Sequence, residues 1–259
     1  MTFNKSILVV QAHPDDTEAW CAGTMKLLKA KGYKITIATM TAGGMGGVNS
    51  TEAKTTLLRK EEAGKAAELL EAEYFCLDQR DGFLFDSTEN RMEVIRLIRK
   101  VKAGIVFTHH PQDYHSDHRT TASIVESAAM ICSLPNVPMD ETPVPVTPLL
   151  YHTTPMTLTD PLGSPLFPPQ FFIDITSTMD MKMEMLSHHV TQIELMRLMH
   201  KMDDFFGEMK KFNSHLGEIV NVPFAECFWQ HLGGGFQKDP LVQQELAPYL
   251  KTPSTPTSS

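Results

Sequence analysis

The sequence predicts a three-layer α/β fold with a mostly parallel sheet. Three observations predict it. Apolar runs and helical patterns alternate four times within the first 132 residues, which is the pattern of right-handed βαβ units. The runs ILVV and GIVF are continuously apolar, as strands covered on both faces are. A chain of 259 residues, 42% of them hydrophobic, is long enough to bury a sizeable core in one large domain.

The elements follow in order. Residues 6–12 (SILVVQA) are a buried strand. Residues 18–31 have helical spacing, with Met25, Leu27 and Leu28 on one side and Gly32 as the stop. YKITIATM at 33–40 alternates and is β-branched, so it is a second strand. TAGGMGGVNS at 41–50 is a flexible loop; it follows the second strand and lacks the GxGxxG spacing, so it forms a mobile rim, not a phosphate cradle. Residues 51–71 give a helix, YFCLD at 74–78 a third strand, and RDGFLFD a loop. Residues 89–102 give a helix, GIVFTH at 104–109 a fourth strand, and 118–132 a helix. Residues 133–170 carry many prolines, which cannot donate to a central ladder, so this stretch crosses irregularly. Within it LLYHTTP at 149–155 is a strand, and FFIDI at 171–175 is another. Residues 176–206 form a long methionine-rich helical stretch, with Ser177 and Asp180 at capping-box spacing; the methionines fill gaps in the core and between subunits. KTPSTPTSS is low-complexity. The expected organisation is one Rossmann-like domain at 1–251. It has a core at about 5–132, an irregular, partly helical C-terminal elaboration at 133–251, and a disordered tail at 252–259.

Composition narrows the function. A net charge of −8, from 23 basic and 31 acidic residues, argues against nucleic acid and anionic membrane as partners. No stretch approaches the roughly 20 apolar residues of a membrane helix, and the N-terminal apolar run is too short for a signal-peptide core. Cys21, Cys76, Cys132 and Cys227 are far apart and read as reduced, buried thiols. The expected location is the cytoplasm.

Two loops hold the chemistry. The first follows strand one and reads HPDDTE, with His13, Asp15, Asp16 and Glu18. The second follows strand four and reads HHPQDYHSDH, with His109, His110, Asp113, Tyr114, His115, Asp117 and His118. In a sheet of order 3-2-1-4 the direction of winding reverses between strands one and four, so their C-terminal loops flank one crevice. Histidine and carboxylate together suit zinc or another first-row divalent ion, and a catalytic zinc keeps three protein ligands. His13, Asp16 and His118 supply them. A dication offsets the repulsion of the adjacent aspartates, and the second carboxylate is left free as a general base.

AHPDD after the first strand and HSDH after the fourth, with LLRKEEAGKAAELL and DITSTMDMKMEMLSHH, resemble the LmbE-like zinc deacetylases. This family includes the N-acetylglucosaminylphosphatidylinositol de-N-acetylases and the mycothiol and bacillithiol pathway deacetylases. The resemblance implies zinc (or Fe2+) on His13, Asp16 and His118, and Asp15 as general base. It implies His115 as the imidazolium that stabilises the oxyanion or protonates the amine, Asp117 as the residue orienting His115, and Arg59 as a substrate contact. Some sugar-thiol members have a tyrosine two places before the first histidine of HxDH. Here Asp113 stands there with Tyr114 beside it, and both are candidate substrate contacts. The loop GGMGG lacks the glutamate common in the family. The implied activity is hydrolysis of an N-acetyl or N-acyl amide on a small amino-sugar-type substrate by metal-bound water, in a trimer or hexamer. A metal-dependent hydrolase of another small ester or phosphate, and a non-catalytic sugar-binding module, are the alternatives. His109 reads as structural, behind the ligands, and His188 and His189 as packing or solvent residues.

Overall fold

The computed structural model describes residues 2–253, so the tail expected at 252–259 lies, from 254 on, outside the described residues. The first strand, β1 (Ser6–Gln11), is buried along its whole length. Its alternate residues feed two cores. Ile7 and Val9 join one cluster with Met25, Leu28, Ile35, Phe107 and Tyr151. Leu8 and Val10 join another with Met40, Val94, Ile98, Val106 and Ile124. This two-sided burial explains the continuous apolar run.

On the first face lie α2 (Ala22–Ala30) and α3 (Glu52–Leu69); on the second lie α4 (Thr88–Val101) and α5 (Ser116–Ile131). α1 (Asp16–Trp20) packs in a separate cluster, its Ala19 and Trp20 against Leu186, Phe205 and Met209. The strands between them are β2 (Lys34–Thr41), β3 (Glu73–Gln79), β4 (Ile105–Thr108) and β5 (Leu149–Thr153). β6 (Phe171–Asp174) follows, then α6 (Met179–Ser187), α7 (Val190–Met199), α8 (Phe205–Val220), β7 (Ala225–Gln230), α9 (Leu241–Glu245) and β8 (Leu250–Lys251). The eight-stranded sheet has the order β3-β2-β1-β4-β5-β7-β6-β8. β3, β2, β1, β4 and β5 run parallel, and β7, β6 and β8 add antiparallel pairs. The expected 3-2-1-4 order is present, so the winding reverses between β1 and β4.

Three local expectations are corrected. The helix read at 18–31 starts at Asp16 and breaks at Cys21, which has φ −150°. The break is held by a buried ion pair: Lys182 Nζ donates to Ala19 O at 2.7 Å and to Glu226 Oε1 at 2.8 Å, and Glu226 accepts from Gly23 N and Thr24 N. The long helix read at 176–206 is three pieces, interrupted at His188–His189 and at 200–204. Its capping box does not form. Thr178 precedes α6, and its hydroxyl donates to Gly23 O and Ile175 O instead. β7, read as no element from sequence, sits between β5 and β6 with all six residues buried.

The proline-rich stretch is pinned by one side chain. Arg99 on α4 is buried and donates to the carbonyls of Cys132, Leu134 and Glu141. The glycine-rich loop makes a short turn at Gly44–Gly46, where Met45 N donates to Asp81 Oδ2 and Gly43 O accepts from Arg59. No helix among the described residues is long and apolar enough to cross a membrane.

Candidate metal centre

The loop after β1 is short because Pro14 and Asp15 turn it at once into α1. Asp15 has φ 89°, in the left-handed region, which aspartate tolerates better than most side chains. The turn is closed by His13 N donating to Asp16 Oδ2 at 2.8 Å. It is fastened to the loop after β4 by Ala12 N donating to His109 Nε2 at 2.9 Å. α5 then begins within the second loop and points His118 back at Asp16.

Asp16 is the hub. Its carboxylate oxygens lie 3.4 Å from His13 Nδ1, 3.4 Å from His118 Nε2 and 3.3 Å from His109 Nε2. Donors held about 2.0–2.2 Å from a tetrahedral metal stand roughly 3.3–3.6 Å from one another, and each of these pairs has that spacing. The side chains form three overlapping donor groups: Asp16, His109 and His118; His13, His115 and His118; and His13, Asp81 and Asp117. His13 and His118 approach different oxygens of Asp16, so the set His13, Asp16 and His118 is spread over these groups, and His109 is the residue that completes the one containing Asp16 and His118. Its ring stacks on His118 at 3.8 Å.

Carboxylates stand behind the imidazoles, where they fix ring orientation. Asp113 Oδ1 lies 3.0 Å from His118 Nδ1. Asp81 and Asp117 lie 3.3 and 3.4 Å from His13 Nε2. Asp113, expected at the substrate, is 1% exposed and is absent from the cavity wall; it also accepts from His115 N. Asp117, expected to orient His115 through its carboxylate, turns that group to His13 and to Gly82 N, and meets His115 Nδ1 only through its own backbone N–H. Asp81 was missed as a site residue. The available signal was its place in a turn after strand three, at the same end of the sheet as the other two loops.

Asp15 is unligated. Arg59, expected as a substrate contact, is 4% exposed; it lies 3.6 Å from the Asp15 carboxylate and donates to Pro14 O and Gly43 O. Burial pushes the Asp15 carboxyl up to about 6, the charge of Asp16 pushes the same way, and Arg59 opposes them. Burial also works to raise Asp16, but the imidazoles of His118 and His109 hold it well below the carboxylate range. Burial lowers His115, and the neighbouring His13 and His118 add to this. Burial pulls His109 down to about 4.

A cavity of about 350 Å³ opens over the nest, and Asp15, Asp81, Arg59, His115 and His118 reach it. Tyr114 stands at its rim, 43% exposed. His110 packs on Trp229, and His189 is buried 3.5 Å from Glu18; neither lines the cavity, nor does His188. Gln192 and His200 do, and sequence reasoning passed over both.

Residues 8–129 match the family described as PIG-L: GlcNAc-PI de-N-acetylase. The chain is similar to the diacetylchitobiose deacetylase of Thermococcus kodakarensis, with 28% identity over 194 residues covering 73% of this chain and 70% of that one. It is also similar to the 4-oxalmesaconate hydratase of Pseudomonas putida, with 27% identity over 242 residues covering 87% and 88%. Its fold is similar to that of the N,N'-diacetylchitobiose deacetylase from Pyrococcus horikoshii, with a TM-score of 0.77 and 23% identity, covering 93% of this chain and 88% of that one.

Proposed function

We propose that the chain, whose residues 8–129 match the PIG-L: GlcNAc-PI de-N-acetylase family, is a metal-dependent hydrolase of an N-acetyl or N-acyl amide on a small amino-sugar-type substrate. The observation that carries this reading is a free carboxyl, Asp15, one residue from the donor nest and on the same cavity as His115. His13, Asp16 and His118 would hold the ion, zinc or Fe2+, with His109 behind them. When bound, the metal polarises the amide carbonyl and makes water acidic enough to react near neutral pH.

The side chains do the rest. Asp15 accepts a proton from the attacking water as its oxygen adds to the acyl carbon. His115, whose Nδ1 accepts from Asp117 N, stabilises the oxygen that becomes negative by donating from Nε2–H, where a fixed dipole matters most. The C–N bond then breaks, the nitrogen takes back the proton held by Asp15, directly or by way of His115, and an amine and a carboxylic acid leave. Arg59 keeps the Asp15 loop in place, and Asp81, Asp113 and Asp117 keep His13 and His118 aimed. The test is amine release from N-acetylglucosamine derivatives by protein of measured metal content. Release that depends on metal supports the reading; loaded protein that releases none defeats it.

A second reading, addition of water across a carbon–carbon double bond of a small polycarboxylate, is favoured by the longer match to the hydratase. The same base and acid would serve it. Loss of the substrate's ultraviolet absorbance without amine release would choose it. A trimer or hexamer and a cytoplasmic location accompany the first reading, and light scattering and cell fractionation test them.

A further inference from the structure

The lining of the cavity over the nest falls into two chemical groups. Asp15, Arg59, Asp81 and the imidazoles of the nest are polar, as are Gln192 and His200. The apolar lining is Trp20, Met156, Leu195, Met196, Phe205 and Met209. It starts at the nest itself, since Trp20 Nε1 donates to Asp16 Oδ1 at 3.4 Å. A second chamber of about 310 Å³ adjoins it: it shares Met156, Phe205 and Met209 with the first and adds Met202, Phe212, Glu208 and Lys211. Phe212 meets Trp20 edge-on at 5.7 Å. The charged residues beside this chamber, Glu208 and Lys211, are paired with each other at 2.7 Å. Apart from Trp20, every residue of this wall lies beyond position 129, where the family match ends.

We propose that the amide this site hydrolyses carries a medium-length aliphatic acyl chain, lying on the Trp20–Phe205–Met209 wall and running into the second chamber. The proposal rests on the amide-hydrolase reading and adds the acyl class to it. Sugar hydroxyls on that wall would lose water and gain few partners, which is costly. An alkyl chain gives up no hydrogen bonds there, and methionines adapt to its shape. The two halves of the amide are assigned by charge. The amine half leaves as a cation and belongs beside Asp15 and Asp81; the acyl half takes the other side. Water supplies hydroxyl to the acyl carbon and hydrogen to the nitrogen, giving a fatty acid and a free amine.

The test uses the full chain loaded with zinc and a ladder of N-acylglucosamines from acetyl through butanoyl and hexanoyl to octanoyl. kcat/KM is expected to rise roughly three- to fourfold per added methylene while the chain is being buried. A flat or falling ladder overturns the proposal and leaves the hydrolase reading standing. Met156→Phe should shift the best chain shorter and Met209→Ala longer; an unmoved optimum in folded, metal-loaded variants counts against it. Binding is read separately by fluorescence in a Trp229→Phe background, where Trp20 reports the wall. Octanoate should perturb Trp20 at far lower concentration than acetate, which carries the same carboxylate. If it does so while no amide in the ladder is cleaved, the hydrolase reading fails and the chamber remains an apolar-chain site. If octanoate and acetate act alike, the chamber is not such a site.

Discussion

Asp15 combines a strained backbone with an unligated carboxyl. A non-glycine residue in the left-handed region costs about 1–2 kcal/mol, and the turn places the group beside, and not inside, the donor nest. Asn tolerates that conformation, so Asp15→Asn should keep its metal by elemental analysis while turnover falls by roughly 10²–10⁴-fold. Asp113 separates two roles. If it steers His118, Asp113→Ala should weaken metal affinity by about 10–100-fold in a competition titration; a change in KM alone would return it to the substrate. His152, which backs onto the nest through His109, offers a pH prediction. Burial pulls it down to about 3, with its Nδ1 donating to His109 O. Unfolded, the ring titrates near its usual value of about 6.5. Between those values the unfolded chain binds the extra proton, so stability is full above about 6.5 and is lost as pH falls toward 3. His152→Gln should flatten that part of a melting-temperature profile.

At the scale of elements, periodicity and topology carried the reading furthest where strand and helix alternate. The continuous runs ILVV and GIVF and the four repeats set the order of β3, β2, β1 and β4, and so brought His13 and His118 together. What sequence hid was long-range. AECFWQ contains a glutamate in its second place and offers no clean alternation, so β7 could not be distinguished until its partners β5 and β6 were known. Glu226 is buried there because Lys182, 44 residues earlier in the chain, meets it. A lysine in a helix normally means a wet face, and only the fold turns it inward. Removing one partner of a buried pair costs about 3–5 kcal/mol. Lys182→Met should therefore lower the urea midpoint strongly, whereas joint replacement of Lys182 and Glu226 by apolar residues should recover part of the loss. Phe228, fully buried between Phe107 and Phe171, should cost about 3–5 kcal/mol as Phe228→Ala.

Across the whole molecule, the donor nest gathers the ends of β1, β3 and β4 and the start of α5. A metal bound there binds only the folded chain. Saturation at about 1,000 times Kd adds about 4 kcal/mol to stability, so a strong chelator should lower the melting temperature of the whole sheet in a single transition. An unchanged melting curve, with metal loss verified, would show that the nest folds without help.

The Lys182–Glu226 clasp ends on Ala19 O, three residues after the hub carboxylate. All the side chains of the nest are synthesised by residue 118, but the clamp that shapes their helix arrives more than a hundred residues later. On the ribosome, then, the early part of the chain should emerge unable to grip an ion. A release series stalled before and after residue 226 should gain metal retention only once the late strand has left the tunnel.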